Sequence, residues 1–286
     1  MLIKAGFDIV MTSLATTPLI ALLSVHPSRN RDLRSPHHIT VEAEGGYPRS
    51  LPAYNYLDSF GNVATRVTMP AGRTRFRNTF VIDDSGLPDR RAPDVPAMPV
   101  DELPEAALPF LLASRYCEAE RLMQFAWGMF GSIASARGRI EAIVDWVHHH
   151  IQFGYRFARK DRTAWDGYQE RIGVCRDFAH LAVTLCRCVN IPARYCTGYL
   201  GDIGVPLVDA PMDLSAWFEA FVDGDWYTYD ARHNTPRIGR IVMARGRDAT
   251  DVAITTAFGG TNLERFDIVT DEVRNTAALP GLLRAA

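Results

Sequence analysis

The hydrophobic pattern divides the chain into a strand-like first part and a helix-bearing second part. From Leu2 to about Ile82, short apolar runs alternate with turn residues: Leu19 to Val25, His38 to Ala43, Asn62 to Met69 and Thr74 to Ile82. Val63, Thr65, Val67 and Met69 recur with the two-residue period of a half-buried strand, and Gly61-Asn62 and Ala71-Gly72 supply turns. The apolar stretch Ile9 to Val25 reads as two strands, not a signal peptide. Asp8 stands at its start, Thr12, Ser13, Thr16, Thr17 and Pro18 interrupt it, and no small-residue cleavage site precedes His26-Pro27. No run approaches the unbroken apolar length of a membrane span.

Six prolines, at 88, 93, 96, 99, 104 and 109, erase any period and predict a linker. This sets the expected organisation as a small β domain over 1–87, a linker over 88–109, a second domain over 110–275 and a loose tail over 276–286. In the second domain a helix is predicted from Glu118 to Phe130. Another runs from Ser135 to His150, with Ile140, Ile143, Val144 and Val147 on one face and Ser135 as N-cap. A short helix over Thr163 to Arg171 precedes a loop and a longer helix that opens at Cys175 and is stopped by Asn190. Pro192 then leads into a strand from Ala193 to Leu200, and Gly201 to Asp213 reads as a surface loop. Asp223-Gly224 predicts a hairpin joining Leu214–Val222 to Asp225–Asp230. A two-residue turn places Asp230 opposite Trp217 and diagonal to Ser215. Strands are also predicted at Ile238–Met243, Asp251–Phe258 and Arg265–Thr270.

Candidate chemistry centres on Cys175. The apolar positions Ala179, Ala182, Val183, Cys186 and Val189 give its helix one core face. The thiol therefore stands in the first turn, where unpaired N–H groups and the helix dipole favour thiolate and can hold an oxyanion. Arg176 adds positive charge beside it. The other cysteines, Cys117, Cys186, Cys188 and Cys196, read as small buried apolar residues. The odd number of cysteines, five, argues against a disulfide framework and for reduced thiols in a cytoplasmic protein. No metal site is expected: Cys186 and Cys188 point to different sides of a helix, and His148-His149-His150 cannot converge on one ion. The triple histidine suits a helix C-terminus instead. A net charge of −2 gives no support for nucleic-acid binding.

Several motifs occur in an order that resembles the bacterial transglutaminase-like superfamily, whose papain-like fold carries cysteine proteases and acyltransferases. They are Gly173-Val174-Cys175-Arg176-Asp177-Phe178-Ala179-His180-Leu181, Ile191-Pro192-Ala193-Arg194-Tyr195 with Gly198-Tyr199, and Ala216-Trp217-Phe218-Glu219 followed by Trp226-Tyr227-Thr228-Tyr229-Asp230. The resemblance spans roughly residues 110 to 270. It implies an α+β fold, with a helical half bearing the nucleophile packed on an antiparallel sheet. It also implies acyl transfer on a peptide or protein amide with no cofactor, by a cysteine nucleophile, a histidine base and an aspartate that orients it. Cys175 and Asp230 match the first and third positions.

The second does not match, because the residue before Ala216-Trp217 is Ser215, which has no group that titrates near neutral pH. His180 lies about 140° around the helix from Cys175 and reads as a packed residue. His233 becomes a substitute base only if the chain bends after Asp230; a regular strand would put it opposite Leu214, on the core face. Trp217 and Arg176 are the expected substrate contacts. Two functions stay open: a cysteine-dependent amidase, peptidase or transglutaminase, and a non-catalytic peptide- or protein-binding module of the same fold.

Overall fold

A computed structural model describes residues 1–45, 47–207 and 212–274. Its first part holds seven strands: β1 (Leu2–Ser13), β2 (Thr17–Ala21), β3 (Thr40–Glu44), β4 (Arg49–Ser50), β5 (Ala53–Leu57), β6 (Val63–Met69) and β7 (Gly72–Asp83). The apolar stretch before His26 is thus two strands. On β6 the alternation shows directly, with Val67 and Met69 buried and Arg66 and Thr68 exposed.

Four helices follow: α1 (Ala119–Phe130), α2 (Ala136–His150), α3 (Ala164–Glu170) and α4 (Cys175–Cys188). Ser135 caps α2 by accepting from Gly138 N, and Thr163 caps α3 by accepting from Asp166 N. The short strands β8 (Gln152–Phe153) and β9 (Ile172–Gly173) pair in parallel on either side of α3. One-sided burial was expected of α4, but every side chain from Asp177 to Cys188 is buried. The reason is its central place: α1 and α2 pack one side, and the face of a sheet bearing Phe218, Ala220 and Val222 packs the other. Asn190 ends the helix region with a φ of 61°.

That sheet comprises β10 (Ala193–Tyr199), β11 (Ser215–Val222), β12 (Asp225–Tyr229) and β13 (Ile241–Gly246), in the order β12-β11-β10-β13. The β11–β12 hairpin turns at Asp223 and Gly224, whose φ values of 50° and 85° are those of a type I′ turn. Its register pairs Phe218 with Tyr229, the last pair of the ladder; the expected pairing of Trp217 with Asp230 would be the next one, and the strand ends before it.

The last strands, β14 (Thr255–Ala257) and β15 (Thr261–Glu272), go elsewhere. The sequence pattern groups them with the second domain, yet β14 pairs with β2 and β15 pairs with β1 along nearly its whole length. They complete two sheets of order β14-β2-β6-β5 and β15-β1-β7-β3-β4. The two parts also share a core, since Tyr199, Leu214, Ile241 and Met243 pack with Phe76 and Phe80 of β7. The expected tail over 276–286 lies outside the described residues.

Candidate active site

Cys175 is the first residue of α4, and its position is fixed by Asp177, two residues on. The buried Asp177 carboxylate accepts from Val174 N at 2.9 Å and from Arg162 Nη1 at 3.1 Å, so it caps the helix and ties it to the preceding loop. Gly173 makes room for that cap: a Cβ there would stand 2.6 Å from Asp177 Cβ. Cys175 is partly exposed and lines a cavity of about 610 Å³, whereas Cys117, Cys186, Cys188 and Cys196 are at most 1% exposed.

Burial outweighs what favours the thiolate here. Burial pushes the Cys175 pKa up to about 11, against a hydrogen bond from the backbone of Ala216 and the charge of Arg232. The helix-start argument from sequence underweighted this desolvation. Arg176 is not the neighbouring charge either. Its guanidinium turns to the carbonyls of Arg159 and Lys160 and to Asp177, and stacks over Tyr116. The expected substrate contact at Trp217 is corrected too. Trp217 is 2% exposed, packs with Cys196 and Val242, and lies under Arg240, so it braces the sheet from behind.

Asp230 follows the last residue of β12 and is buried. Its Oδ1 accepts the backbone N–H groups of Arg232 at 3.0 Å and His233 at 3.1 Å, while its carbonyl accepts from Asn234 N at 2.8 Å. The carboxylate thereby nucleates a tight turn and stops the strand. Asn234, with φ of 53°, completes the reversal. From α2, His148 Nδ1 supports the same turn, 3.1 and 3.0 Å from the carbonyls of Ala231 and Arg232.

The turn brings His233 back onto Asp230. Its Nδ1 lies 2.8 Å from Asp230 Oδ2, and the ring faces the same cavity as Cys175 and Ser215. A regular strand would have sent this side chain to the core; the Asp230 turn is what prevents it. Asp230 Oδ2 also accepts from Arg240 Nη2 at 2.8 Å, and Arg240 is held in turn by Asp89 at 2.9 Å. Burial pushes the Asp230 carboxyl up, but Arg240 and the hydrogen bond from His233 outweigh it and hold it well below the usual carboxylate range. An ionised Asp230 accepts the Nδ1 proton, which leaves Nε2 with the lone pair. That lone pair takes a hydrogen bond from Arg232 Nη1 at 3.2 Å.

Ser215, the first residue of β11, lines the cavity and pairs with Gly198. His180 is fully buried, stacked on Tyr116, and accepts from Ala249 N at 3.1 Å, so it plays no part in the cavity. Arg232, Arg240 and Asp89 were not picked out from sequence, and His148 was read only as one of three histidines at a helix C-terminus. The one available signal was the Asp-x-x-His spacing at 230–233, a turn-forming acid followed by a residue it can hold. Among the described residues, no three His, Cys, Asp or Glu side chains are grouped to hold a metal ion.

Comparison with known proteins bears on the fold and the superfamily. The sequence model of the transglutaminase-like superfamily matches residues 124–231, from within α1 to the residue after Asp230. A solved structure of a candidate cysteine protease from Cytophaga hutchinsonii superposes with a TM-score of 0.82 at 27% identity, covering 96% of this chain and 91% of that one. An uncharacterised protein of Mycobacterium leprae is 25% identical over 239 residues, covering 79% of this chain and 84% of its own. One from Mycobacterium tuberculosis is 26% identical over 262 residues, covering 83% and 81%.

Proposed function

We propose that this chain, which carries a transglutaminase-like domain, is a cysteine-dependent acyl-transfer enzyme acting on peptide or protein amides, with His233 as its proton shuttle. The observation that carries this reading is the 2.8 Å bond between His233 Nδ1 and the buried Asp230, which holds a histidine of the cavity that Cys175 lines. The histidine missing at Ser215 is replaced by one delivered from the other side of the same carboxylate.

In this mechanism His233 Nε2 takes the Cys175 thiol proton as sulfur attacks the amide carbonyl. Asp230 keeps the proton on Nδ1 and stabilises the imidazolium that forms. The N–H groups at the start of α4 face the developing oxyanion. Collapse releases the amine, which leaves with the proton from His233, and water or a second amine resolves the thioester. Arg232 has to leave Nε2 for the first transfer, and it then supplies positive charge beside the sulfur.

Two observations favour the second reading, a peptide-binding module: the Cys175 thiol is pushed up to about 11, and Arg232 occupies the Nε2 lone pair. Intact-mass analysis with an electrophilic glutamine-peptide mimic separates the two. An enzyme gains one adduct, lost in Cys175→Ala and slowed in His233→Ala. A binder retains the peptide without any adduct.

A further inference from the structure

Five arginines are at most 8% exposed, and four of them have their guanidinium set against carboxylates or several carbonyls, although Arg240 Nη1 has no partner. Arg162 faces Asp177 and Glu170, and Arg240 faces Asp230 and Asp89. Arg187 donates to the carbonyls of Ala193, Leu112 and Arg247 and to Ser114, and Arg139 donates to those of Ile133, Val189 and Gly131. Arg237 is the exception. It is 6% exposed, its guanidinium donates to Gly201 O alone, at 3.0 Å, and its Nε has no partner.

Among the described residues Arg237 makes no ion pair. The nearby Asp89 is already spent, its carboxylate taking the backbone N–H of Arg237 and the side chain of Arg240. Burial and the charge of Arg240 push the Arg237 pKa down, and the charges of Asp230 and Asp202 offset this only in part. A buried guanidinium left this way is costly unless something else pairs with it. Arg237 forms part of the wall of the cavity that Cys175 and His233 also line, so the missing partner has a route in.

We propose that Arg237 is a carboxylate-binding residue of the cleft, and that the protein takes acidic peptides whose carboxylate pairs with it beside the attacked amide. The proposal rests on reading the cleft as a substrate site. A planar fork with open N–H groups suits a carboxylate, which accepts in a bidentate manner. The acidic residues of the cavity leave this position available. Asp202 bears on Arg237 through its charge, with no hydrogen bond or ion pair between the two, and Asp213 accepts from Leu214 N while burial pushes its carboxyl up.

The test uses two acetylated tripeptides of the same shape: Glu-Gln-Glu with a free C-terminus, and Gln-Gln-Gln with a C-terminal amide. Calorimetry on the full chain carrying Cys175→Ala measures binding without turnover. The acidic peptide should bind about tenfold tighter or more, as expected for hydrogen bonds to a charged group. Adding Arg237→Gln should bring the ratio of the two affinities close to one, and Arg237→Lys should keep part of the preference. Equal affinity for the two peptides, no binding of either, or a preference that survives Arg237→Gln overturns the proposal. If the acidic peptide is preferred but the protein with Cys175 intact never forms a thioester with it, the carboxylate site stands and the acyl-transfer reading falls.

Discussion

Asp230 does two jobs with one carboxylate. Oδ1 builds the turn that delivers His233, and Oδ2 holds the ring that arrives. Because Oδ2 is already shared with Arg240, there is no room for a second imidazole. Ser215→His alone should therefore leave activity unchanged or lower it. His233→Ala should cost roughly 10²- to 10⁴-fold in rate, the usual contribution of a positioned base. In the His233→Ala background the place on Oδ2 is vacated, and Ser215→His should restore a substantial part of the loss. Thioester formation rates for the four proteins check this; a gain from Ser215→His in the wild type would show that His233 is not the base. The thiol gives a second expectation. With the Cys175 pKa pushed up to about 11, its alkylation by iodoacetamide should rise about tenfold per pH unit from pH 7 to 10, with no plateau near neutrality. It should still precede the other four cysteines, which are buried.

At the level of single elements, the sequence was readable wherever the deciding interactions are local. The α4 start, the stop at Asn190, the cap at Ser135 and the register about Asp223-Gly224 all follow from neighbours a few residues apart. Cys175 was a candidate from its place at a helix start, and Asp230 from the family resemblance. What failed were side-chain directions set by distant partners. Arg176 was read as the thiol's neighbour, but the loop at 159–160 draws it away; Trp217 was read as a substrate contact, but Cys196 and Val242 cover it. Asp177 shows how much one local residue can carry. Asp177→Ala removes the α4 cap and one carboxylate from the buried Arg162, although Glu170 remains. Breaking a buried pair of this kind costs roughly 3–5 kcal/mol, enough to lower the midpoint of thermal unfolding clearly. Asp177→Asn should cost less, since its amide oxygen can still accept from Val174 N. Thermal denaturation followed by circular dichroism ranks the three.

At the scale of the whole molecule, the pairing of β15 with β1 was not legible, because strand alternation does not say which strand lies beside which. It ties the end of the chain to its beginning, so removal of residues 255–272 should yield protein that does not melt cooperatively, whatever happens to α4. Fully buried His180 and half-buried His26 and His37 give the folded state a common response to acid. Burial lowers His26 and His37 to about 4, with the Arg245 charge adding to the effect on His26, and burial lowers His180 to about 3. These are bases with depressed folded pKa values, so the sign is fixed. Above pH 6.5 they are neutral in both states and contribute no pH dependence. As pH falls below 6.5, the unfolded chain binds protons that the folded chain does not. Stability then drops until about pH 4 for His26 and His37, and about pH 3 for His180. Each can contribute at most about 1.4 kcal/mol per pH unit in its window. Urea midpoints should be flat from pH 8 to 7 and fall steadily from pH 6 to 4. His180 is wholly buried, with Nδ1 unpartnered and Nε2 accepting from Ala249 N. His180→Gln, which keeps an acceptor but cannot be charged, should lower stability at pH 8 and flatten the slope below pH 6. An unchanged slope in that variant would mean that His180 is not held neutral by the fold.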